Sequence, residues 1–345
     1  MNLHALLGTE LPLIQAPMAG SQASALALAV CAGGGVGSLP CAMLGADALR
    51  AELALLQAAA TRPFNLNFFC HRNPPPDDAA EQAWRALLSP YYAEFGVDPA
   101  QAVAGAARRP FDADMADIVC ACRPAFVSFH FGLPEPGLMA KVRSCGAKIL
   151  SSATTVAEAR WLAARGVDAV IAQGAEAGGH RGMFLDENPA TQVGTFALLP
   201  QVVAAVDVPV IAAGGIADAR GVAAALALGA AAVQVGSAYL LCPESAASAV
   251  HRAALKSDGA GVTALTNLFS GRPARGIVNR LMRELGPLNT AAPRFPLAAA
   301  ALAPLRARAE AAGCGDFSPL WAGQNLSGCK EIPAAQLTRA LMGVA

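Results

Sequence analysis

The residues best suited to chemistry stand in the segment AQGAEAGGHRG, positions 172–182. His180 is its one imidazole, and Gly178 and Gly179 precede it directly. An imidazole has an ordinary pKa of about 6.5, so it can accept or donate a proton near neutral pH. Glycines carry no Cβ and allow a backbone to pass close to a ligand. The segment predicts a catalytic base or anion-binding group at His180; the alternative is an ordinary surface turn residue.

Two further glycine motifs follow apolar runs. Gly214 and Gly215 stand in AAGGIAD, and Gly236 and Ser237 stand in QVGSAYL. Each motif comes just before a predicted helix, so its backbone N–H groups lie where partial positive charge collects. One glycine pair alone is a weak signal because turns use glycine freely. Two such motifs on neighbouring predicted strands predict a cradle for one phosphate.

Other polar side chains also stand at the ends of apolar runs. Asn67 and Gln173 carry amides that need partners when buried, and either a flavin ring or neighbouring backbone would supply them. His130 is predicted to bind or orient a substrate, with a core histidine as the alternative. His71 is a second substrate-binding candidate. The remaining histidines, His4 and His251, are expected at the surface.

The elements that must position these residues form a regular series. Short apolar runs bounded by glycine and proline alternate with alanine-rich helical stretches, which indicates a parallel sheet covered on both faces. Eight units within about 240 residues match a (β/α)8 barrel, whose strands point their carboxyl ends at the active site. A doubly wound sheet rarely needs eight parallel strands. The predicted strands are 13–16, 35–39, 64–68, 125–131, 148–152, 168–173, 209–214 and 231–236.

The fold class is therefore predicted as α/β, a (β/α)8 TIM barrel with a smaller, mainly helical second domain. Residues 1–241 are expected to form the barrel, with a helical insertion at about 71–120. Residues 242–345 are expected to be mainly helical and to form, with the insertion, a cap over the barrel mouth. Two helix starts are specific: Thr155 with Glu158 has capping-box spacing, and Asp218 is an expected N-cap.

Composition limits the class of partner. The 345 residues are 54% hydrophobic with a formal net charge of zero, which argues for a large core and against a nucleic-acid partner. The uncharged stretch 11–46 is broken by three prolines, so no membrane-spanning run is expected. The start lacks a basic signal-peptide region, which favours the cytoplasm. Nine scattered cysteines without a CxxC pair are expected to be reduced thiols, and no metal site is predicted.

Taken together, the motifs resemble those of one flavoenzyme family. The chain is similar to class I nitronate monooxygenase, formerly called 2-nitropropane dioxygenase, from residue 13 to about residue 328. AAGGIAD and QVGS are shared with many FMN barrels, whereas EAGGH, PFNLNFFCH and LWAGQ are more specific. The motifs that carry the resemblance are APMAG, PFNLNFFCH, QGAEAGGHRG, AAGGIAD, QVGSAYL, SGRPARGIVN and LWAGQ.

The resemblance implies a noncovalent FMN at the barrel mouth and His180 as the catalytic residue. It also implies oxidation of alkyl nitronates, and of nitroalkanes, by O2 through a flavin semiquinone, giving a carbonyl compound and nitrite. The implied protein is a monomer or homodimer. The predicted cofactor contacts are Met18, Asn67, Gln173, Gly178, Gly179, Gly214, Gly215, Gln234, Val235, Gly236, Ser237 and Gln324.

Three alternatives share parts of this pattern. An NAD(P)H-dependent flavin reductase acting on enoyl thioesters or quinones would use the same barrel, although no separate GxGxxG motif follows a strand. A barrel of the IMP-dehydrogenase type needs a nucleophilic cysteine, and the segment around His180 has none. From another class, a non-catalytic FMN-binding protein would keep the glycine motifs without turnover.

Overall fold

The computed structural model describes residues 7–60, 62–98 and 108–344. Its strands are β1 (Leu13–Gln15), β2 (Gly37–Pro40), β3 (Phe64–Phe69), β4 (Phe126–His130), β5 (Lys148–Ala153), β6 (Ala169–Gln173), β7 (Gly179–His180), β8 (Val210–Ala213), β9 (Ala232–Val235), β10 (Thr263–Thr266) and β11 (Ala274–Ile277). Its helices are α1 (Ser24–Ala32), α2 (Ala46–Ala59), α3 (Asp78–Phe95), α4 (Ala113–Cys122), α5 (Pro136–Ser144), α6 (Val156–Ala164), α7 (Thr195–Ala205), α8 (Ala219–Ala227), α9 (Ala249–Leu255), α10 (Arg280–Leu285), α11 (Ala298–Ala311) and α12 (Ala334–Leu341).

Eight of the strands form a closed parallel barrel. They pair in the order β1, β9, β8, β6, β5, β4, β3, β2. Val36, just before β2, pairs with Ile14 of β1 and closes the cylinder. The predicted (β/α)8 barrel and its eight strands are confirmed.

Side chains alternate between the two faces of each strand, which divides the barrel core into an inner and an outer layer. Ile14 and Ile171 pack inside the cylinder, whereas their neighbours Leu13 and Val170 pack under the surrounding helices. Successive side chains of a strand point to opposite faces, so the apolar residues of these strands pack in an apolar layer on either face. This explains why the strands read as continuous apolar runs in the sequence.

Both predicted helix starts are confirmed. Asp218 accepts a hydrogen bond from the Gly221 amide at 2.8 Å, and Thr155 accepts one from the Glu158 amide at 3.2 Å. The Glu158 carboxylate, however, does not return to Thr155 as in a reciprocal capping box. It accepts from the Thr154 amide at 2.7 Å and from the Phe184 amide at 2.6 Å. Glu158 therefore joins the end of β5 to the segment that follows His180.

Helix α3 packs on helix α11, far along the chain, and the two share one core. The Trp84 indole donates to the Ala298 carbonyl at 3.1 Å, and the Tyr92 hydroxyl donates to the Ala301 carbonyl at 2.8 Å. Helix α4, at the end of the predicted insertion, packs instead in the main barrel core through Met115 and Val119. The residue boundaries assigned to the insertion and the C-terminal region stay predictions.

A small antiparallel sheet lies beside the barrel. Strand β11 pairs with β10 on one side and with β7 on the other, in the order β10, β11, β7. Ala274 stands opposite His180, and Arg275 stands opposite Gly179. The C-terminal region is thus not only helical, and it extends the backbone that carries His180.

Two features differ from the sequence-based expectations. Helix α12 packs on helix α1 of the barrel rather than in a cap, and the Thr338 and Tyr239 hydroxyls are 2.9 Å apart. Cys120 and Cys145 form a disulfide between α4 and α5, so the expectation of nine reduced thiols is wrong for this pair. Sequence spacing did not show this pairing because two separate helices bring the sulfurs together. Among the described residues, no helix has the length and apolar character needed to cross a membrane.

Candidate active site

A pocket opens at the carboxyl ends of the barrel strands, where the fold places active sites. Most of the predicted site residues contribute to its wall, although they come from seven strands and from the loops that follow them. The predicted residues that line it are Met18, Asn67, His130, Gln173, Gly178, Gly179, His180, Gly214, Gly215, Gln234, Gly236 and Ser237.

Strand β7 fixes the backbone of His180. The segment reads as a glycine-rich loop in the sequence, but pairing with β11 makes it a short strand. The His180 carbonyl accepts hydrogen bonds from Gln173 Nε2 at 3.0 Å and from His130 Nε2 at 3.2 Å. The His180 ring is held separately, with Nε2 2.8 Å from Ser270 Oγ. Backbone and ring therefore have independent supports.

The surroundings keep the His180 imidazole neutral. Protein atoms enclose the ring on most sides, and this loss of hydration lowers its pKa well below the ordinary value. The positive charge of Arg108 lowers the pKa further, and His130 and Arg272 act in the same direction. A neutral ring has one nitrogen with a free lone pair, which is the form that a general base requires.

Gln173 organises the segment around His180. Its Nε2 donates to the His180 carbonyl, and its Oε1 accepts from the Gly182 amide at 2.8 Å. Arg181 supports the same turn, because its fully buried guanidinium donates to the carbonyls of Gln173 and Gly174, both at 2.7 Å. Gln173 is thus a structural support of the base, and its predicted contact with a flavin stays a prediction.

His130 lines the pocket, but both of its ring nitrogens have protein partners. Because a carbonyl only accepts, Nε2 must donate to the His180 carbonyl, and Nδ1 then accepts from Ser152 Oγ at 3.1 Å. Burial lowers the pKa of His130 to about 4. These contacts favour a supporting role under His180, and direct substrate binding by His130 stays a prediction.

His71 lies behind the pocket wall rather than in it. Its ring is 5% exposed and meets Phe295 edge-on with 4.8 Å between ring centroids. Among the described residues, neither of its ring nitrogens has a hydrogen-bond partner. Burial lowers its pKa to about 4. Phe69 and Phe295 separate His71 from His180, so the predicted substrate contact would require these rings to move.

The glycine motifs after β8 and β9 also line the pocket. Gly214 and Gly215 have φ values of 114° and 72°, which L-residues with side chains rarely adopt. The described backbone hydrogen bonds include none donated by the Gly215 or Gly236 amides. Both amides are therefore free to bind an anion, as the predicted phosphate cradle requires.

A C-terminal strap, residues 321–325, covers these loops. The Gly323 amide donates to Ser237 Oγ at 2.9 Å, and Asn325 Nδ2 donates to the Gly215 carbonyl at 3.0 Å. A Cβ on Gly178 would lie 2.6 Å from the Gly323 nitrogen, so the strap approaches β7 too closely for any side chain there. Gly178 therefore makes room for protein atoms of the strap rather than only for a cofactor.

Comparison with known proteins now identifies the family. The family model described as nitronate monooxygenase matches residues 1–343 of the 345. The chain belongs to the nitronate monooxygenase family. It is 44% identical to a nitronate monooxygenase of Pseudomonas aeruginosa over 98% of this chain and 97% of that protein. It is 42% identical to one of Paraburkholderia phytofirmans, over 97% and 92% of the two chains.

A solved structure agrees with this family assignment. Nitroalkane oxidase from Streptomyces ansochromogenes superposes with a TM-score of 0.88 at 39% sequence identity. The match covers 99% of this chain and 96% of that one. Both the barrel and the regions outside it are therefore shared with a protein named for nitroalkane oxidation.

Two residues that the nitronate monooxygenase motifs suggested as cofactor contacts lie away from the pocket surface. Val235 is 1% exposed and packs outward under the helices, because its neighbour Gln234 takes the inward-facing position of β9. The Gln324 side chain is exposed, and its backbone amide donates to the Glu176 carbonyl at 3.0 Å. The contacts of Val235 and Gln324 with a cofactor stay predictions.

Several residues in or beside this nitronate monooxygenase family site were missed from the sequence. Ser270 stands in the quoted motif SGRPARG, but only the fold brings it to His180. Arg108 lies within the predicted insertion and belongs to no recognisable motif. Trp321, whose ring centroid is 5.5 Å from that of His180, was quoted only within LWAGQ. The described residues contain no cluster of His, Cys, Asp and Glu that could hold a metal ion.

Proposed function

We propose that the protein binds FMN at the barrel mouth and oxidises alkyl nitronates, and neutral nitroalkanes, with O2 to a carbonyl compound and nitrite. Membership of the nitronate monooxygenase family supports this oxidoreductase activity. The observation that carries the proposal is the His180 imidazole, held neutral at the pocket wall among glycine loops suited to a phosphate. We also propose a cytoplasmic monomer or homodimer.

The pocket has the polar groups that FMN needs. Gln234 Oε1 is buried in the wall without a hydrogen-bond partner, as expected of an acceptor meant for a ligand N–H. Gly214, Gly215, Gly236 and Ser237 would hold the phosphate through backbone N–H groups. Met18, Asn67 and Gln234 would face the flavin ring, and Gln22 supports this arrangement because its Oε1 accepts from the Met18 amide at 2.9 Å. When bound, FMN supplies electron transfer between the substrate and O2.

The chain itself handles charge and protons. His180 takes the proton from the α-carbon of a neutral nitroalkane, and the C–H electron pair moves into the nitro group to give a nitronate. The new imidazolium and the nearby Arg108 guanidinium then stabilise the nitronate charge. A substrate that arrives already as a nitronate needs no proton removal and uses only the binding role of these groups.

Aromatic rings keep water away from this step. Phe69, Phe295 and Trp321 surround the His180 ring with centroid separations of 6.1, 5.4 and 5.5 Å. Exclusion of water strengthens the interaction between the nitronate and the cationic groups. The aromatic wall also matches the apolar part of an alkyl substrate.

One assay separates the proposal from its alternatives. Purified protein is mixed aerobically with ethylnitronate, propionate 3-nitronate or nitroethane, and nitrite release and O2 uptake are measured with and without NADH. Nitrite formation without NADH is expected. Rapid anaerobic bleaching of the flavin by NADH with no nitrite would instead show a reductase. A yellow protein silent in every assay would show a non-catalytic flavin-binding protein.

The role of His180 is tested by His180→Asn, which removes the base but keeps a polar side chain of similar size. Loss of a general base lowers kcat/KM for nitroethane by about 10²- to 10⁴-fold. Activity towards preformed ethylnitronate is expected to fall far less, and the flavin spectrum to stay. Wild-type turnover of nitroethane by the variant would show that the base is another group.

A further inference from the structure

Ser270 contacts His180 without reaching the pocket. Its side chain is fully buried in the turn between β10 and β11. Its Oγ lies 2.8 Å from His180 Nε2 and 3.3 Å from the Arg272 carbonyl oxygen. No other described group donates a hydrogen bond to that carbonyl.

These two contacts together indicate where the hydrogens lie. A carbonyl oxygen can only accept, so the Ser270 hydroxyl donates its one hydrogen to Arg272. The same oxygen then accepts from His180, which means that His180 Nε2 carries a hydrogen. A neutral imidazole has one N–H, so the lone pair is on Nδ1. No described residue hydrogen-bonds to Nδ1, and the ring lines the pocket.

We propose that Ser270 is a positioning residue that fixes His180 in the Nε2–H tautomer and presents Nδ1 to the substrate as the base. The inference rests on the proposed function, since it assigns the atom that removes the proton in that reaction. Ser270 does not touch the substrate. It acts only through the tautomer and the orientation of His180.

The proton transfer balances with these groups alone. The C–H bond of the nitroalkane breaks, its electron pair is delocalised into the nitro group, and a new N–H bond forms at Nδ1. The resulting imidazolium keeps its Nε2–H bond to Ser270. An acceptor at Nε2 stabilises the cation more than the neutral ring, so Ser270 also favours the product of this step.

The chain supplies a matched pair of serine variants. Ser270→Ala removes the acceptor at Nε2. Ser318→Ala is the control, because Ser318 is also buried in the C-terminal region but donates to Glu310, at 2.6 Å, away from His180. Ser270→Thr keeps the hydroxyl and serves as the rescue variant.

The kinetic test compares nitroethane with preformed ethylnitronate in the holoenzyme. Ser270→Ala is expected to lower kcat/KM for nitroethane by about 10- to 100-fold, because rings in the other tautomer cannot accept the proton at Nδ1. The expected loss for ethylnitronate is below about threefold, since no proton is removed. Ser318→Ala stays near wild type, and Ser270→Thr recovers most of the nitroethane activity. Equal losses on both substrates would reduce Ser270 to a structural residue and overturn the proposal.

A spectroscopic readout is independent of turnover. Protein labelled with 13C and 15N in histidine reports the tautomer of each ring by NMR, and His180→Asn identifies the His180 signals. The Nε2–H form is expected in wild type and a mixture in Ser270→Ala. An Nδ1–H form in wild type would overturn the proposal. If wild type releases no nitrite from ethylnitronate, the proposed function fails, while the NMR result still decides the tautomer.

Discussion

His180 stays neutral because three kinds of neighbour act in one direction. Enclosure by protein atoms has the largest effect on its pKa, followed by the positive charge of Arg108, with smaller effects in the same direction from His130 and Arg272. Arg272 has its own ion pair, 3.1 Å from Glu187, whereas Arg108 has no described carboxylate partner. Residues 99–107, which lie outside the described part of the chain, include no Asp or Glu. Arg108 is therefore the cation most available to a negatively charged substrate.

Replacing Arg108 tests this electrostatic role. Arg108→Leu removes a charge that lowers the pKa of His180, so that pKa rises and the base becomes protonated at a higher pH. The acidic limb of the profile of kcat/KM for nitroethane is expected to move to higher pH. The KM for ethylnitronate is expected to rise about tenfold, because an ionic hydrogen bond is lost. The control is Arg50→Leu, which changes an exposed arginine paired with Asp47; an unmoved acidic limb in Arg108→Leu would contradict the assignment.

At the level of single residues, the sequence predicted the functional residues that stand together in one local motif. His180 and the glycines around it stand together in one segment, so their chemistry could be predicted before the fold was known. Ser270 lies 90 positions away from His180, and its role depends on a hydrogen bond that only tertiary structure creates. His251 was expected at the surface but is 5% exposed, because helix α9 turns it inward. His4 lies outside the described residues.

The element that positions His180 is the short strand β7. Glycine content predicted a loop, since isolated strands rarely contain several glycines. Pairing with β11 overrides this local preference, and Arg275 strengthens the link by donating to the Ala175 carbonyl at 2.9 Å. The barrel strands could be predicted because each is a buried apolar run. The C-terminal sheet could not, because β10 and β11 carry no alternating pattern and gain their stability from the barrel side.

A single methyl group tests the packing of β7 against the strap at residues 321–325. Gly178→Ala places a Cβ 2.6 Å from backbone atoms of Ala322 and Gly323, which cannot move as a flexible side chain would. We expect a loss of about 1 to 3 kcal/mol in the free energy of unfolding, also in protein stripped of cofactor. The control is Gly137→Ala, where no heavy atom lies within 4 Å of the new Cβ. Urea unfolding measures both; equal stability of the two variants would show that the strap does not constrain β7.

Across the whole molecule, buried histidines link stability to pH. Burial lowers the pKa values of His71, His130 and His251 to about 4, while an unfolded chain has about 6.5. Between these values the unfolded chain binds protons that the folded protein does not. Stability is therefore full above about pH 6.5 and falls as the pH decreases towards 4. Each such histidine lowers the free energy of unfolding by about 2 kcal/mol at pH 5 relative to pH 7.5.

His251 allows this link to be measured outside the active site. It lies in helix α9, and its Nε2 is buried without a hydrogen-bond partner among the described residues. His251→Gln keeps a polar side chain but removes the titration. The free energy of unfolding in urea is expected to fall between pH 7.5 and 5.0 by about 2 kcal/mol less in the variant than in wild type. Carboxylates titrate mainly below this range and act alike in both proteins. An identical decrease in the free energy of unfolding in the two proteins would therefore show that His251 is protonated in the folded state or is not fully buried.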